Sequence, residues 1–184
     1  IDWIDKEIQT ASKPLGCDRA TYWSICTPFN NGSEFNIYLE DDIEVSLGLK
    51  QLADWYCKYD DKKYVCLCPE SYTDRQSPTN EIRYFKAFNS HGILCNKRQF
   101  EKHMRNQWLD HKLSRDTSPG WDWNMMNYIT KHSGSHILAP MHAYTHHIGE
   151  MGTYCRPHGY RESGQNAVQL CHDIHDEFYI KASE

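Results

Sequence analysis

The sequence lacks the features that would place it in a membrane or on a nucleic acid. No stretch approaches the roughly 18 consecutive apolar residues of a spanning helix, and the mean hydropathy is -0.78. We therefore expect no stable membrane insertion. Lys and Arg number 20 against 25 Asp and Glu, with no basic run longer than three residues. We therefore expect no nucleic-acid partner.

Catalytic signatures are also missing. The chain contains no HExxH motif, no GxSxG nucleophile elbow, no glycine-rich phosphate loop and no CxxC pair. The 11 histidines are unusual, and nine of them lie between positions 111 and 175. Pairs spaced by four residues would stand roughly 13 Å apart on a strand, too far to share one metal ion. We predict no enzyme activity, no metal and no cofactor, with a His-dependent hydrolase or nuclease as the alternative.

Aliphatic residues are scarce. Leu, Ile, Val and Phe make up only about 18% of the chain, a fraction that indicates disorder when the net charge is high. The formal charge here is only -5, and six Trp, twelve Tyr and eight Cys are present. This composition predicts a folded protein with aromatic cores and covalent crosslinks.

The eight cysteines divide the chain. Six lie within residues 17–95, the next 59 positions have none, and two follow. An even number without metal-binding spacing predicts four disulfides in an oxidising compartment. We predict an N-domain, 1–98, with three disulfides whose 15 possible pairings stay open, and a C-domain, 99–184, with one. The predicted disulfide residues are Cys17, Cys26, Cys57, Cys66, Cys68, Cys95, Cys155 and Cys171.

Two pairs of cysteines carry more specific expectations. Cys155 and Cys171 are predicted to bond with each other, closing a loop of about 15 residues. Cys66 and Cys68 are predicted to point to opposite faces of a strand and so to bond with different partners. The chain begins with Ile1, which predicts a removed signal segment and secretion. Whether Asn31 in the triplet Asn-Gly-Ser carries a glycan stays open.

Hydrophobic patterning predicts a short N-terminal helix and many short strands. The helix is expected over 1–8, and 43–58 is ambiguous between strand and helix. The predicted strands cover 21–26, 35–40, 63–68, 82–88, 121–125, 136–139, 141–148, 167–171 and 178–180. We therefore predict an α+β, mostly β protein: a small helix-plus-antiparallel-sheet N-domain followed by a β-sandwich C-domain.

The histidines carry a second expectation that needs no active site. With unperturbed pKa values near 6.5, most would be protonated at about pH 5.5, which would move the net charge from -5 to about +5. We therefore expect the electrophoretic mobility of the protein to reverse sign between about pH 7.5 and 5.5.

The order of the six early cysteines, followed by Cys155 and Cys171, resembles that of the dual-domain effectors secreted by Fusarium and related plant-pathogenic fungi. These are the secreted-in-xylem proteins, whose shared architecture is known as the FOLD family. The resemblance covers the whole chain and rests on this order and on the length. It implies the two-domain architecture above and removal of a pro-segment at a kexin-type site before Ile1, and it assigns no catalytic residue to this chain.

The implied function is virulence through binding of host-plant proteins, with recognition by a plant immune receptor in resistant hosts. We expect an extracellular monomer in the apoplast or xylem, and entry into host cells stays open. A protease inhibitor with a cystatin-like N-domain is a weaker alternative. The loop after Cys155 is rich in Gly, Ser, Arg and Tyr, and we expect recognition to involve Arg156, His158, Tyr160 and Arg161.

Overall fold

The fold was determined as a computed structural model. It describes residues 17–59, 64–69, 79–85, 92–105, 136–148, 170–171 and 174–181. The helices are α1 (Cys17–Asn30), α2 (Leu49–Lys58) and α3 (Lys97–Phe100), which continues into a π-helical turn, Glu101–Arg105. The strands are β1 (Phe35–Leu39), β2 (Ile43–Val45), β3 (Tyr64–Leu67), β4 (Glu81–Phe85), β5 (Gly92–Asn96), β6 (His136–Pro140), β7 (Thr145–His147) and β8 (Tyr179–Ile180).

Six of these strands form one mixed sheet in the order β1-β5-β3-β6-β4-β8. The pairs β1–β5, β3–β5 and β4–β6 are antiparallel, whereas β3–β6 and β4–β8 are parallel. The remaining two strands, β2 and β7, pair antiparallel in a small second sheet. The α+β class is therefore confirmed for the described residues.

Alternate residues along the central strands build two separate cores, because successive side chains of a strand point to opposite faces. On one face, Ile93, Cys95 and Ile137 pack against α1, Phe100 and Met104. On the other face, Leu94 and Leu138 pack against α2 and several aromatic rings. We call these the α1 face and the α2 face. Both are buried, so the sheet is covered by a helix on each side.

The predicted orientation of Cys66 and Cys68 was wrong. Residues two apart in a strand share a face, and both thiols lie in the core of the α1 face. Leu67, between them, lies in the core of the α2 face.

The strand predicted for 21–26 was also wrong, since these residues lie within α1. Their Thr, Tyr, Trp and Ile favour strands individually. However, Thr21, Ile25 and Phe29 recur every four residues, and all three are buried. Burial of this helical stripe against the sheet outweighs local propensity. The helix ends where Asn31 N donates to Thr27 O, and Gly32 follows at φ 103°, a backbone conformation that favours glycine.

The ambiguous segment 43–58 contains both structures. Its first residues form β2, and its remainder forms α2. Leu49, Leu52, Ala53 and Tyr56 are buried at the helical spacing i, i+3, i+4, i+7. The strands predicted at 35–40, 63–68, 82–88 and 178–180 are confirmed in part, with the bounds given above. The strand predicted at 136–139 is confirmed and extends to Pro140. The helix predicted at 1–8 and the strand at 121–125 lie outside the described residues.

The predicted boundary at residues 98 and 99 does not coincide with a boundary between sheets. Central strand β6 and edge strand β8 come from the C-terminal side, yet they pair with β3 and β4 from the N-terminal side. The β-sandwich predicted for 99–184 is not confirmed, since β6 and β8 belong to the mixed sheet and β7 pairs with β2. The position of β6 follows from its apolar run, which is buried on both faces of the sheet. In the described part of the chain, no helix is long and apolar enough to cross a membrane.

Candidate functional site: a buried thiol cluster

Four of the eight cysteines meet on the α1 face. Cys26 lies in α1, Cys66 in β3 and Cys95 in β5, and Cys68 is the residue that follows β3. Each is at most 5% exposed. We call these four residues the thiol cluster. No disulfide joins any of the six cysteines whose side chains this structure describes.

Within the cluster, Cys66 and Cys95 lie directly opposite each other on antiparallel strands. Opposed residues of an antiparallel pair project to the same face of the sheet. Burial raises the pKa of the Cys95 thiol well above its usual range, and the charges of Cys66 and then Cys26 raise it further. Three thiols from three separate elements therefore interact electrostatically in one apolar core.

Cys26 interacts with Tyr22, Glu101 and Arg105, and we call these three residues the polar rim. The Tyr22 hydroxyl donates a hydrogen bond to the sulfur of Cys26 and accepts one from the Arg105 guanidinium. Arg105 Nη1 also lies 3.4 Å from Glu101 Oε1. The π-helical turn carries both charged residues of this rim, and such turns are frequent at functional sites.

The rim does not turn Cys26 into a nucleophile. Burial raises the pKa of its thiol, and this outweighs the lowering by the Tyr22 hydrogen bond and the Arg105 charge. The pKa of Tyr22 is also raised, by burial first and by Cys26 second. Reactive cysteines have lowered pKa values and partial exposure. Cys26 and Cys95 have neither property, so their geometry supports a structural role.

The other two described cysteines lie apart from the cluster. Cys57 is exposed near the end of α2, and its pKa is raised by partial burial and by the carboxylate of Asp54. Cys171 is buried in the core of the α2 face, where its Sγ lies 4.0 Å from Nε2 of His175. The His175 ring packs edge-on against Phe178, with the ring centroids 5.9 Å apart.

Several predicted site residues lie outside the described part of the chain. Cys17 begins α1, but its side chain is not among those described. Cys155 lies outside the described residues, but no disulfide joins its predicted partner Cys171 in this structure, so the predicted bond is not confirmed. Also outside the described residues are the predicted recognition residues, Arg156, His158, Tyr160 and Arg161.

The described histidines are dispersed over the fold. The His136 ring packs at a tilt against Tyr84 in the main sheet, His142 is buried after β6, and His146 in β7 lies opposite Glu44. His103 is buried in the π-helical turn, where burial and then the Lys102 charge lower its pKa. Among the residues with described positions, no group of three His, Cys, Asp or Glu could hold a metal ion.

Sequence reasoning missed the contact between α1 and the cysteines of the sheet. The spacing of Tyr22 and Cys26, four residues apart, places them on one face of a helix, but the strand interpretation separated them. The electrostatic interaction of Cys26 with Arg105 connects residues 79 positions apart in the chain, and no local sequence pattern indicates it. No protein-family model and no curated protein matches the chain.

Proposed function

We propose that this protein is a secreted fungal virulence effector that binds a protein of the host plant and is recognised by a plant immune receptor. The cysteine order that resembles the secreted-in-xylem effectors supports the proposal. The observation that carries it is the thiol cluster, which gathers cysteines from α1, β3 and β5 at the base of one core. A chain with few aliphatic residues gains most from crosslinks in such a position, and crosslinks persist outside the reducing cytosol.

The chemistry of the described cysteines disfavours catalysis by a thiolate, which is consistent with a protein that acts by binding. A thiolate mechanism requires a lowered pKa, and burial has the opposite effect on Cys26 and Cys95. These residues act as a scaffold in our proposal, and the activity resides in surface loops. The loop carrying Arg156, His158, Tyr160 and Arg161 is the proposed recognised surface, because Arg and Tyr are frequent anchors of protein interfaces.

The experiment co-expresses the secreted protein with individual plant immune receptors in leaf tissue and scores cell death. We expect cell death with one receptor and none with the others. The four proposed recognition residues are then replaced together by alanine, which we expect to abolish the response. A matched control replaces the exposed Glu44, Lys58 and Lys102 by alanine and should keep the response. Circular dichroism and gel filtration verify that each variant is folded.

The fold decides how the recognised half should be exchanged with that of a related effector. A swap of the whole of 99–184 would also replace β6, which pairs with β3 and β4 in the main sheet. A swap of the loop between Cys155 and Cys171 leaves those strands intact and is the sharper test. Recognition that survives a folded loop swap would move the recognised surface elsewhere. If a single His→Ala change in a folded variant abolished all activity, the result would instead support the hydrolase or nuclease alternative.

A further inference from the structure

Two cysteines of the thiol cluster occupy opposed positions from which a disulfide could form. Cys66 and Cys95 are register partners of the antiparallel pair β3–β5. Opposed residues in such a pair have Cα atoms about 4.5 or 5.5 Å apart, depending on the type of pair. Disulfides join residues whose Cα atoms are about 4.4–6.8 Å apart, so both types of pair lie within the required range. The two side chains also share the α1 face, so neither strand has to turn for them to meet.

On β3, the register places Cys66, and no other cysteine, directly opposite Cys95. Leu94, which precedes Cys95, is opposite Leu67, and both belong to the α2 face. Cys68 lies beyond the last paired residue of β3, and its amide donates to Leu138 O of β6 at 2.8 Å. The Cys68 backbone therefore hydrogen-bonds to β6, which lies on the side of β3 opposite to β5. Cys26 can approach Cys95 only from α1, across the interface between helix and sheet.

We infer that Cys66 and Cys95 form a disulfide that joins β3 to β5, and that Cys26 is the reserve partner of Cys95. This selects one bond among the pairings that the sequence leaves open. In forming it, the two thiols lose two protons and two electrons to a disulfide oxidant, an oxidoreductase of the secretory pathway or oxidised glutathione. The oxidant is reduced to two thiols through a mixed disulfide with one of the two cysteines.

The bond forms before α1 covers the sheet. In the folded protein, burial holds the Cys95 thiol in its protonated form, which does not attack a disulfide. In the unfolded chain, both thiols are exposed and a fraction of each is ionised at neutral pH. Oxidation therefore accompanies early pairing of β3 with β5, and the packing of α1 then protects the bond from reductants.

The inference rests on the proposed function in one respect only: secretion exposes the protein to an oxidising compartment in which the disulfide can form. The test uses the full chain, refolded from the reduced state in a mixture of reduced and oxidised glutathione. Remaining thiols are blocked with N-ethylmaleimide, and the protein is digested with pepsin at low pH to prevent exchange. Mass spectrometry then identifies the crosslinked peptides. The Cys68→Ser variant removes the ambiguity of peptides that contain both Cys66 and Cys68.

We expect a crosslink between Cys66 and Cys95 in the wild type, retained in the folded Cys68→Ser and Cys26→Ser variants. In the Cys66→Ser variant, we expect Cys95 to be crosslinked to Cys26. Cys95 crosslinked to any residue other than Cys66, or blocked by maleimide, in folded wild-type protein would overturn the inference. Wild-type mapping decides this point even where a variant does not fold.

The same preparation is then tested in leaf tissue. A mapped Cys66–Cys95 bond without any receptor-dependent cell death would leave the disulfide standing and reject the proposed function. Receptor-dependent cell death from protein whose Cys66 and Cys95 are both blocked as thiols would reject the disulfide and support the proposed function. The two proposals therefore fail separately.

Discussion

The two faces of the central sheet use different chemistry to stabilise the same strands. The α2 face is lined by leucines and by the rings of Tyr56, Tyr144 and Phe178. The Phe178 centroid lies 5.9 Å from those of both Trp55 and Tyr144. The α1 face instead contains four cysteines among a few isoleucines and phenylalanines. Leucines are thus concentrated on the α2 face, whereas four of the five buried cysteines among the described residues lie on the α1 face.

This difference shows how a chain with few aliphatic residues covers both sides of a sheet. Alternation along β3 and β6 assigns Leu67 and Leu138 to one face, and Cys66 and Ile137 to the other. A thiol buries less apolar surface than a leucine, so the α1 face gains less from the hydrophobic effect. A disulfide compensates by restricting the unfolded chain, although it requires an oxidising environment.

The largest effect is expected from truncation on the α2 face. Leu138 is fully buried at the centre of the sheet. Leu138→Ala should lower the free energy of unfolding by about 2–5 kcal/mol, because it removes packed apolar surface and leaves a cavity. Urea titration measures the loss, which should be the same with and without reductant. The control Leu47→Ala, at a residue 74% exposed, should change stability by at most about 0.5 kcal/mol. Equal losses in the two variants would contradict this picture of the α2 face.

The next effect concerns the covalent contribution on the α1 face. Replacing both Cys66 and Cys95 by serine should cost the oxidised protein about 3–4 kcal/mol, the chain-entropy contribution of a loop of roughly 30 residues. The measurement is again urea unfolding. In strong reductant, the variant and the wild type should differ far less, since neither then has the bond. A gap that persists in reductant would mean that thiol packing, and not a crosslink, stabilises this face.

A smaller effect is expected where β5 passes into α3. The Asn96 side chain caps this helix by accepting a hydrogen bond of 3.3 Å from the amide of Gln99. Asn96→Ala should cost about 1 kcal/mol, and Asn96→Asp should retain most of the stability. Because the helix carries Phe100 into the α1 face, maleimide labelling of reduced Cys95 should accelerate in the alanine variant only. Equal labelling rates in the two variants would mean that the Asn96 cap does not control access to Cys95 on the α1 face.

The smallest expected effect is a pH dependence from His103. Burial lowers its pKa in the folded state, so the unfolded state binds the proton more tightly. Its stabilising contribution is therefore complete above the unfolded pKa of about 6.5 and is lost as the pH falls through the lower folded value. The stability difference between pH 7.5 and 5.5 should shrink in His103→Gln. An unchanged difference would mean that other groups control the acid response.

The fold was predictable where one local pattern dominated. The apolar run of β6 and the alternation in β1 indicated strands, and both are present, with β6 one residue longer and β1 one residue shorter than predicted. Helix α1 was missed because residues that favour strands form a buried helical stripe, and tertiary packing decided the outcome. The candidate site was predictable only in composition. Its cysteines were identified, but the meeting of α1 with β3 and β5 was not.

The sequence alone determined which residues could form two cores and crosslinks. Its alternating apolar residues, its scarcity of aliphatics and its even number of cysteines are all local or compositional properties. Only the tertiary structure decided which cysteines meet and how the two halves of the chain combine. Cys66 and Cys95 are opposed because of strand register, and β6 lies between β3 and β4 because of long-range pairing. Register and strand order depend on contacts between residues far apart in the chain, which no local pattern specifies.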